Sequence, residues 1–182
     1  KKDKQGRFTT SLKKRLILNL KKSGITAAST KTERPELPRI LDAVFAGLEL
    51  LRRRRGIRGC WLRHVVLDFT HAFYNVPNRP DERRFFCARL RRYIYMWLRA
   101  TQGSRGAPLI CGRALSLAMR LACSCLDADD VDASTYVDDP LMTFVGTGEE
   151  QAEALGVMVG CPLALGFDSA FAKAQDSNQQ EQ

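Results

Sequence analysis

Apolar residues recur along this chain at two periods. Ile40, Leu41, Val44, Leu48 and Leu51 follow the helical period, in a segment opened by Pro38 and closed by Gly56 and Gly59. Residues 108–126 are rich in Ala, Leu, Met and Cys with almost no charge, which predicts a buried helix. Residues 149–159 predict another helix. Alternating or continuous apolar runs predict strands at 15–20, 63–69, 85–90 and 92–98. Residues 135–137 and 141–145 predict a hairpin around two acids. Ser23-Gly24 ends the first strand, and Pro35 and Pro38 make 25–38 a loop. Pro77 and Pro80 mark a turn, with one helical turn from Pro80-Asp81-Glu82, and residues 103–106 form a flexible loop. Gly166 opens a last turn leading to Lys173, and the polar stretch 175–182 is expected to be disordered. The order β-α-β-β-β-α-β-β-α predicts an α+β fold, an antiparallel sheet with helices packed on one face.

With 182 residues, one domain is the default, and 45% hydrophobic residues can bury a core. The net charge of +9 favours polyanionic partners, nucleic acid above all. The charge is uneven. Lysines and arginines crowd residues 1–22, Arg52, Arg53, Arg54, Arg55 and Arg58 form a second cluster, and Arg83, Arg84, Arg89, Arg91 and Arg92 a third. The second cluster reads as a solvated loop, with a nuclear address as a weaker alternative. Acids gather at 127–132 and 149–153. Six cysteines lack any CxxC pair and only two histidines occur, which argues against zinc. Their apolar surroundings suit reduced thiols, hence an intracellular protein, cytoplasmic or nuclear. No signal peptide or membrane-spanning run is present, so no membrane partner is expected. The chain begins at Lys1 rather than Met, as a piece of a longer protein would.

Candidate chemistry lies in Tyr136-Val137-Asp138-Asp139, seventy positions after Asp68, the acid that ends Val65-Val66-Leu67. Charged carboxylates in apolar strands need compensation, and a hard divalent cation with oxygen ligands is the usual compensator. Two such cations suit phosphoryl or nucleotidyl transfer. Strand alternation sets Asp138 with Tyr136, Asp139 on the other face and Asp68 with Val66. Asp68 and Asp138 are therefore the expected metal-bridging pair, with Asp139 an accessory acid.

The company of these residues extends the pattern. Leu67-Asp68-Phe69-Thr70-His71-Ala72-Phe73 resembles the first palm motif of reverse transcriptases. Gln102-Gly103-Ser104-Arg105-Gly106-Ala107-Pro108 resembles their second motif, and Tyr136-Val137-Asp138-Asp139 their catalytic box. Gly166 followed by Lys173 resembles the next motif, and Arg15 within Lys14-Arg15-Leu16-Ile17-Leu18-Asn19-Leu20 the fingers strand. Leu37-Pro38-Arg39-Ile40 is similar to a segment of gypsy-type LTR retrotransposons. The order of motifs matches retrotransposon and retroviral enzymes over roughly residues 13–175.

The resemblance implies a basic arm at 1–12, partial fingers at 13–62, a palm at 63–175 with fingers strands inserted at about 82–101, and a disordered tail at 176–182. It implies an RNA-directed DNA polymerase fragment of a retroelement, acting on an RNA template, a DNA primer and deoxynucleoside triphosphates. Asp68, Asp138 and Asp139 would hold two Mg2+ ions, with Mn2+ as a substitute, and Lys173 would protonate pyrophosphate. Arg15, Ala72, Phe73, Gln102 and Gly103 would line the nucleotide site. Phe73 would exclude a 2′-hydroxyl and Arg15 would grip phosphate. His71 and Pro140 depart from the retroviral pattern, and the loop holding residues 52–58 is long. Thumb, connection and ribonuclease H segments are expected from a longer polyprotein. Two alternatives stay open: an inactive remnant that binds nucleic acid, and an unrelated basic RNA-binding α+β domain. In the last, Tyr93, Tyr95 and Trp97 would stack bases; packing of these rings against a helix is the expected arrangement instead.

Overall fold

The computed structural model describes residues 17–30, 33–34 and 36–178. The elements in chain order are α1 (Ile25–Ala28), α2 (Ile40–Arg53), β1 (Trp61–Val66), β2 (Cys87–Leu90) and β3 (Tyr93–Met96). There follow α3 (Ala107–Cys123), β4 (Val131–Tyr136), β5 (Asp139–Gly146), α4 (Gly148–Ala164) and β6 (Gln175–Asp176). The predicted strand at 15–20 begins outside the described residues, and Ile17, Leu18 and Asn19 are not in a strand.

Four strands form one antiparallel sheet in the order β4-β5-β1-β6, and β2 and β3 form a separate hairpin. The α+β expectation holds. β1 runs against β5 from Trp61 opposite Gly146 to Val66 opposite Leu141. Alternation sends Val65, Leu67, Met142 and Phe144 to one face, where they pack with Cys111, Leu115 and Met119 of α3 and Ala154 and Met158 of α4.

The expectation of helices on one face describes α3 and α4 only. α2 lies on the opposite face, over Leu62 and His64; a Cβ on Gly47 would sit 3.2 Å from Leu62 Cδ2. Its contact surface is built from the buried Leu50 and from small residues, with Gly47 buried and Ala43 and Ala46 half-buried. Ile40, Leu41, Val44, Leu48 and Leu51, the residues that carried the helical period, are exposed, as is Phe45. Small side chains let the helix backbone approach the sheet, and the large ones then point away.

Two polar features secure the sheet. Gln151 is buried, and its Nε2 donates to the carbonyls of Trp61 (2.7 Å) and Gly146 (3.1 Å), joining α4 to the ends of β1 and β5. Thr147 and Glu150 form a reciprocal cap at the start of α4. The arginines after residue 51 are also less free than expected. Arg53 pairs with Asp129 at 3.0 Å, and Arg54 reaches Asp130 through Nε at 2.6 Å. The latter pair is about four-fifths buried and ties the end of α2 to the turn before β4.

The polar stretch after 174 starts ordered rather than disordered. Gln175 and Asp176 form β6 against Val66 and Val65. Arg63 holds Asp176 with bonds of 3.1 and 2.5 Å in a mostly buried pair, which lowers the Asp176 pKa through that hydrogen bond. A shielded, bidentate pair of this kind orders a segment that polarity alone marks as loose. Residues 179–182, like the arm at 1–12, lie outside the described residues.

Gly103 shows why a glycine is needed at its position. Its φ is +101°, and a Cβ there would lie 2.3 Å from the carbonyl oxygen of Leu18. The N–H of Leu18 donates to the Gln102 carbonyl at 3.3 Å, so the two segments are held at this distance. Gly103→Ala is expected to destabilise the protein by roughly 1–3 kcal/mol. Gly156→Ala, in α4 with open space around it, is expected to stabilise by about 0.5–1 kcal/mol. Urea midpoints of the two variants, shifted in opposite directions from the parent, check both.

Candidate active site

β1 ends one turn of pleat before Asp68, and the β4–β5 hairpin turns at the same edge of the sheet. Leu67 donates its N–H to the Pro140 carbonyl at 3.2 Å, extending the ladder past Val66. Continuing that register sets Asp68 opposite Asp139, so strand parity puts Asp139 on the face of Asp68. This differs from the expected pairing of Asp68 with Asp138. Pro140 presents its carbonyl to β1, so the donor that proline lacks is missing on the β1 side.

Tyr136 pairs with Asp139, leaving Val137 and Asp138 as a two-residue turn. Val137 has φ +59°. A β-branched residue in the left-handed region is strained, by about 1–3 kcal/mol. The turn rests on α3. A Cβ on Gly112 would meet the Val137 Cα and carbonyl oxygen at 3.8 Å, so there is room for a methyl and little more. Asp138 lies close enough to raise the buried Cys111 thiol, which burial mainly pushes up, to about 11. Burial, and then the charge of Asp138, raise the Asp139 carboxyl above its usual range. Sequence reasoning missed Gly112; a lone glycine inside a strong helical run was the available signal.

Asp68 is engaged differently. Its carboxylate forms an ion pair with Lys173. The intervening chain explains how a residue 105 positions away arrives there. Thr70 donates to the Asp168 carbonyl and Ala170 donates to the Asp68 carbonyl, both at 2.7 Å, and Phe69 bridges Ser169. A single 3-10 turn, Phe171–Lys173, follows before β6 rejoins β1. Lys173 is thus bracketed on both sides by backbone pairing to the strand that carries Asp68. Among the described residues no three His, Cys, Asp or Glu side chains are gathered as a group that could hold a metal ion. Asp68, Asp138 and Asp139 share one edge of the sheet without closing into such a cluster.

Ala72 and Phe73 begin a one-turn 3-10 segment, Ala72–Asn75, entered through His71 with φ +54°. Ala72 is buried, and Phe73 is half-buried against the core cluster. Gln102 is half-buried and Gly103 exposed. Arg15 lies outside the described residues. A cavity of about 730 Å³ borders the turn, lined by Leu37, Pro38, Pro108, Arg113 and Val137 among others. Pieces of three separate sequence motifs therefore meet at one cleft. All six cysteines are free thiols, and among the described residues no helix is long and apolar enough to cross a membrane.

No family model matches the chain, and no curated protein matches it. Among solved structures, a prototype foamy virus protease-reverse transcriptase aligns with a TM-score of 0.51 at 18% identity. The fold is distantly similar to that enzyme's. The match covers 62% of this chain and 14% of the viral chain, so the chain spans a small part of its neighbour's length. At this identity the likeness speaks to the fold alone. Within that fold, Asp68 and the acidic turn come from separated segments joined by antiparallel pairing, and Lys173 comes from the segment that flanks β1.

Proposed function

We propose that this chain is the palm and part of the fingers of an RNA-directed DNA polymerase, with 13–62 as partial fingers, 63–175 as palm and the β2–β3 hairpin as the fingers strands inserted in it. It would extend a DNA primer on an RNA template. The observation that carries this proposal is the register that sets Asp68, two residues past β1, at the same end of the antiparallel sheet as the strained Val137–Asp138 turn and Asp139. The distant foamy virus likeness supports it.

The donor chemistry suits Mg2+, with Mn2+ as a substitute. Carboxylate oxygens are hard ligands, Asp138 and Asp139 carry adjacent like charges that need compensation, and Asp68 already takes a cationic partner in Lys173. Asp68, Asp138 and Asp139 would hold the ions. When bound, such ions lower the pKa of a hydroxyl nucleophile and neutralise phosphate charge. The protein's own residues supply the rest. Phe73, fixed by its packing, presents its ring beneath the incoming sugar and leaves no space for a 2′-hydroxyl. Ala72, Gln102 and Gly103 border the nucleotide, and Arg15 pairs with its phosphates. Lys173 holds a proton on Nζ for the departing pyrophosphate.

A second reading, a non-catalytic remnant that binds nucleic acid, draws on the Lys173 ammonium occupying Asp68 and on the open arrangement of the three acids.

Primer extension with labelled deoxynucleotides on an RNA template separates the two. Asp138→Asn is expected to lower the rate by at least about a hundredfold; an equal rate in both proteins rejects the catalytic assignment. Phe73→Val is expected to admit ribonucleotides, and an unchanged sugar preference rejects the gate. Lys173→Met removes the cation that competes for Asp68. Mn2+ binding, followed by electron paramagnetic resonance without nucleotide, is expected to tighten about twofold to fivefold, as befits a partly exposed ion pair worth up to ~1 kcal/mol. Unchanged or weaker binding removes Asp68 from the metal-holding set.

A further inference from the structure

The β2–β3 hairpin stands apart from the four-stranded sheet and carries an unusual surface. Leu90 pairs with Tyr93 and Ala88 with Tyr95, so the two tyrosines share one face. Neither is covered by a helix, contrary to the expected packing: Tyr93 is 53% and Tyr95 49% exposed, while Trp97, next on that parity, is half-buried. The tyrosine rings stand 6.4 Å apart at 69°, edge to face. Two exposed aromatic rings two residues apart on a strand are costly to leave in water, and in a basic surround they match a specific kind of partner.

The surround is basic throughout. Residues 83–99 contain Arg83, Arg84, Arg89, Arg91, Arg92 and Arg99 and no acid. Among the described residues none of these six takes part in a salt bridge. Arg89 and Arg99 instead donate to the carbonyls of Arg91 and Asn75, at 3.2 and 3.3 Å. Arg92 places its guanidinium 5.1 Å from the Tyr93 ring centre. Arg91 has φ +57° at the hairpin turn. In the cluster after residue 51, by contrast, Arg53 and Arg54 are matched by Asp129 and Asp130.

We propose that the β2–β3 hairpin is a docking surface for single-stranded nucleic acid, with bases stacked on Tyr93 and Tyr95 and phosphates paired by Arg91 and Arg92 at the hairpin turn. Aromatic faces take any base, and arginines beside them hold the backbone, so the surface binds strands with little sequence preference. The occupant follows from charge complementarity: an acidic protein segment would satisfy the arginines and leave the tyrosine faces without flat partners. The surface makes no use of the carboxylate edge or of catalysis.

Fluorescence anisotropy of a labelled twelve-nucleotide oligo(dT) or oligo(U), in EDTA and without nucleotide, tests this apart from any polymerase activity. Tyr93→Ala combined with Tyr95→Ala is expected to weaken binding by about tenfold or more, as loss of two stacking partners predicts. Tyr93→Phe with Tyr95→Phe keeps the rings and is expected to stay within about twofold of the parent. Arg91→Gln with Arg92→Gln is expected to weaken binding and reduce its salt dependence. Unchanged binding in the alanine pair overturns the proposal, as does equal weakening by the phenylalanine pair. A concentration-dependent self-association that the alanine pair abolishes, with strand binding untouched, assigns the surface to protein contact and overturns it as well.

Discussion

The antiparallel pairing of β1 with β5 determines where every other part of the molecule sits. Peptide hydrogen bonds alone would tolerate several registers. Burial selects one, because Val65 and Met142 must reach the same core together, and a one-residue slip would turn the whole apolar set of β1 to the wrong face. The same register carries the polypeptide past Val66 to Asp68 and sets it beside the acidic turn. The candidate site is thus a by-product of core packing at the end of a strand. Asp68 stays outside the core because alternation turns it away from the face that its buried neighbours Leu67 and Phe69 enter.

Charge organisation follows from burial in a comparable way. Arg63 with Asp176 and Arg54 with Asp130 are shielded pairs that tie distant segments to the sheet. Such pairs contribute chiefly by orienting what they join, since removal of both charges from water offsets much of their attraction. Lys173 with Asp68 is more exposed and therefore weaker and exchangeable. A pair of that kind stabilises the resting carboxylate while leaving it open to a competing cation. The hairpin arginines stand at the other extreme: among the described residues none of them takes part in a salt bridge.

Strain is also localised. Val137 in a left-handed conformation is held by its two flanking strands and by α3 beneath, where Gly112 allows close contact. The rigid surroundings keep the turn in a conformation that an isolated peptide would abandon. The helical glycine and the strained valine are two halves of one arrangement, and only the first has a trace in composition.

Local pattern was sufficient for the existence of the main elements. The apolar run of α3, the two strands around Asp138 and Asp139, and the α+β order all follow from period and composition, because those features act over a few residues. The motif residues around Asp68, Gln102 and the acidic turn were equally visible. Which helix face meets the sheet was not: α2 buries Leu50 but shows its other large apolar residues to water and its small ones to Leu62 and His64, where the helix backbone comes close to the sheet. Nor could period reveal that Asp176 would be ordered by Arg63, that Lys173 would reach Asp68, or that Tyr93 and Tyr95 would lack a cover. Each of these depends on partners far away in the chain. Sequence alone determined which segments are strands, helices and acid-bearing turns; tertiary structure decided which faces they share, because contact across a sheet is set by register and burial between residues that local periodicity cannot relate.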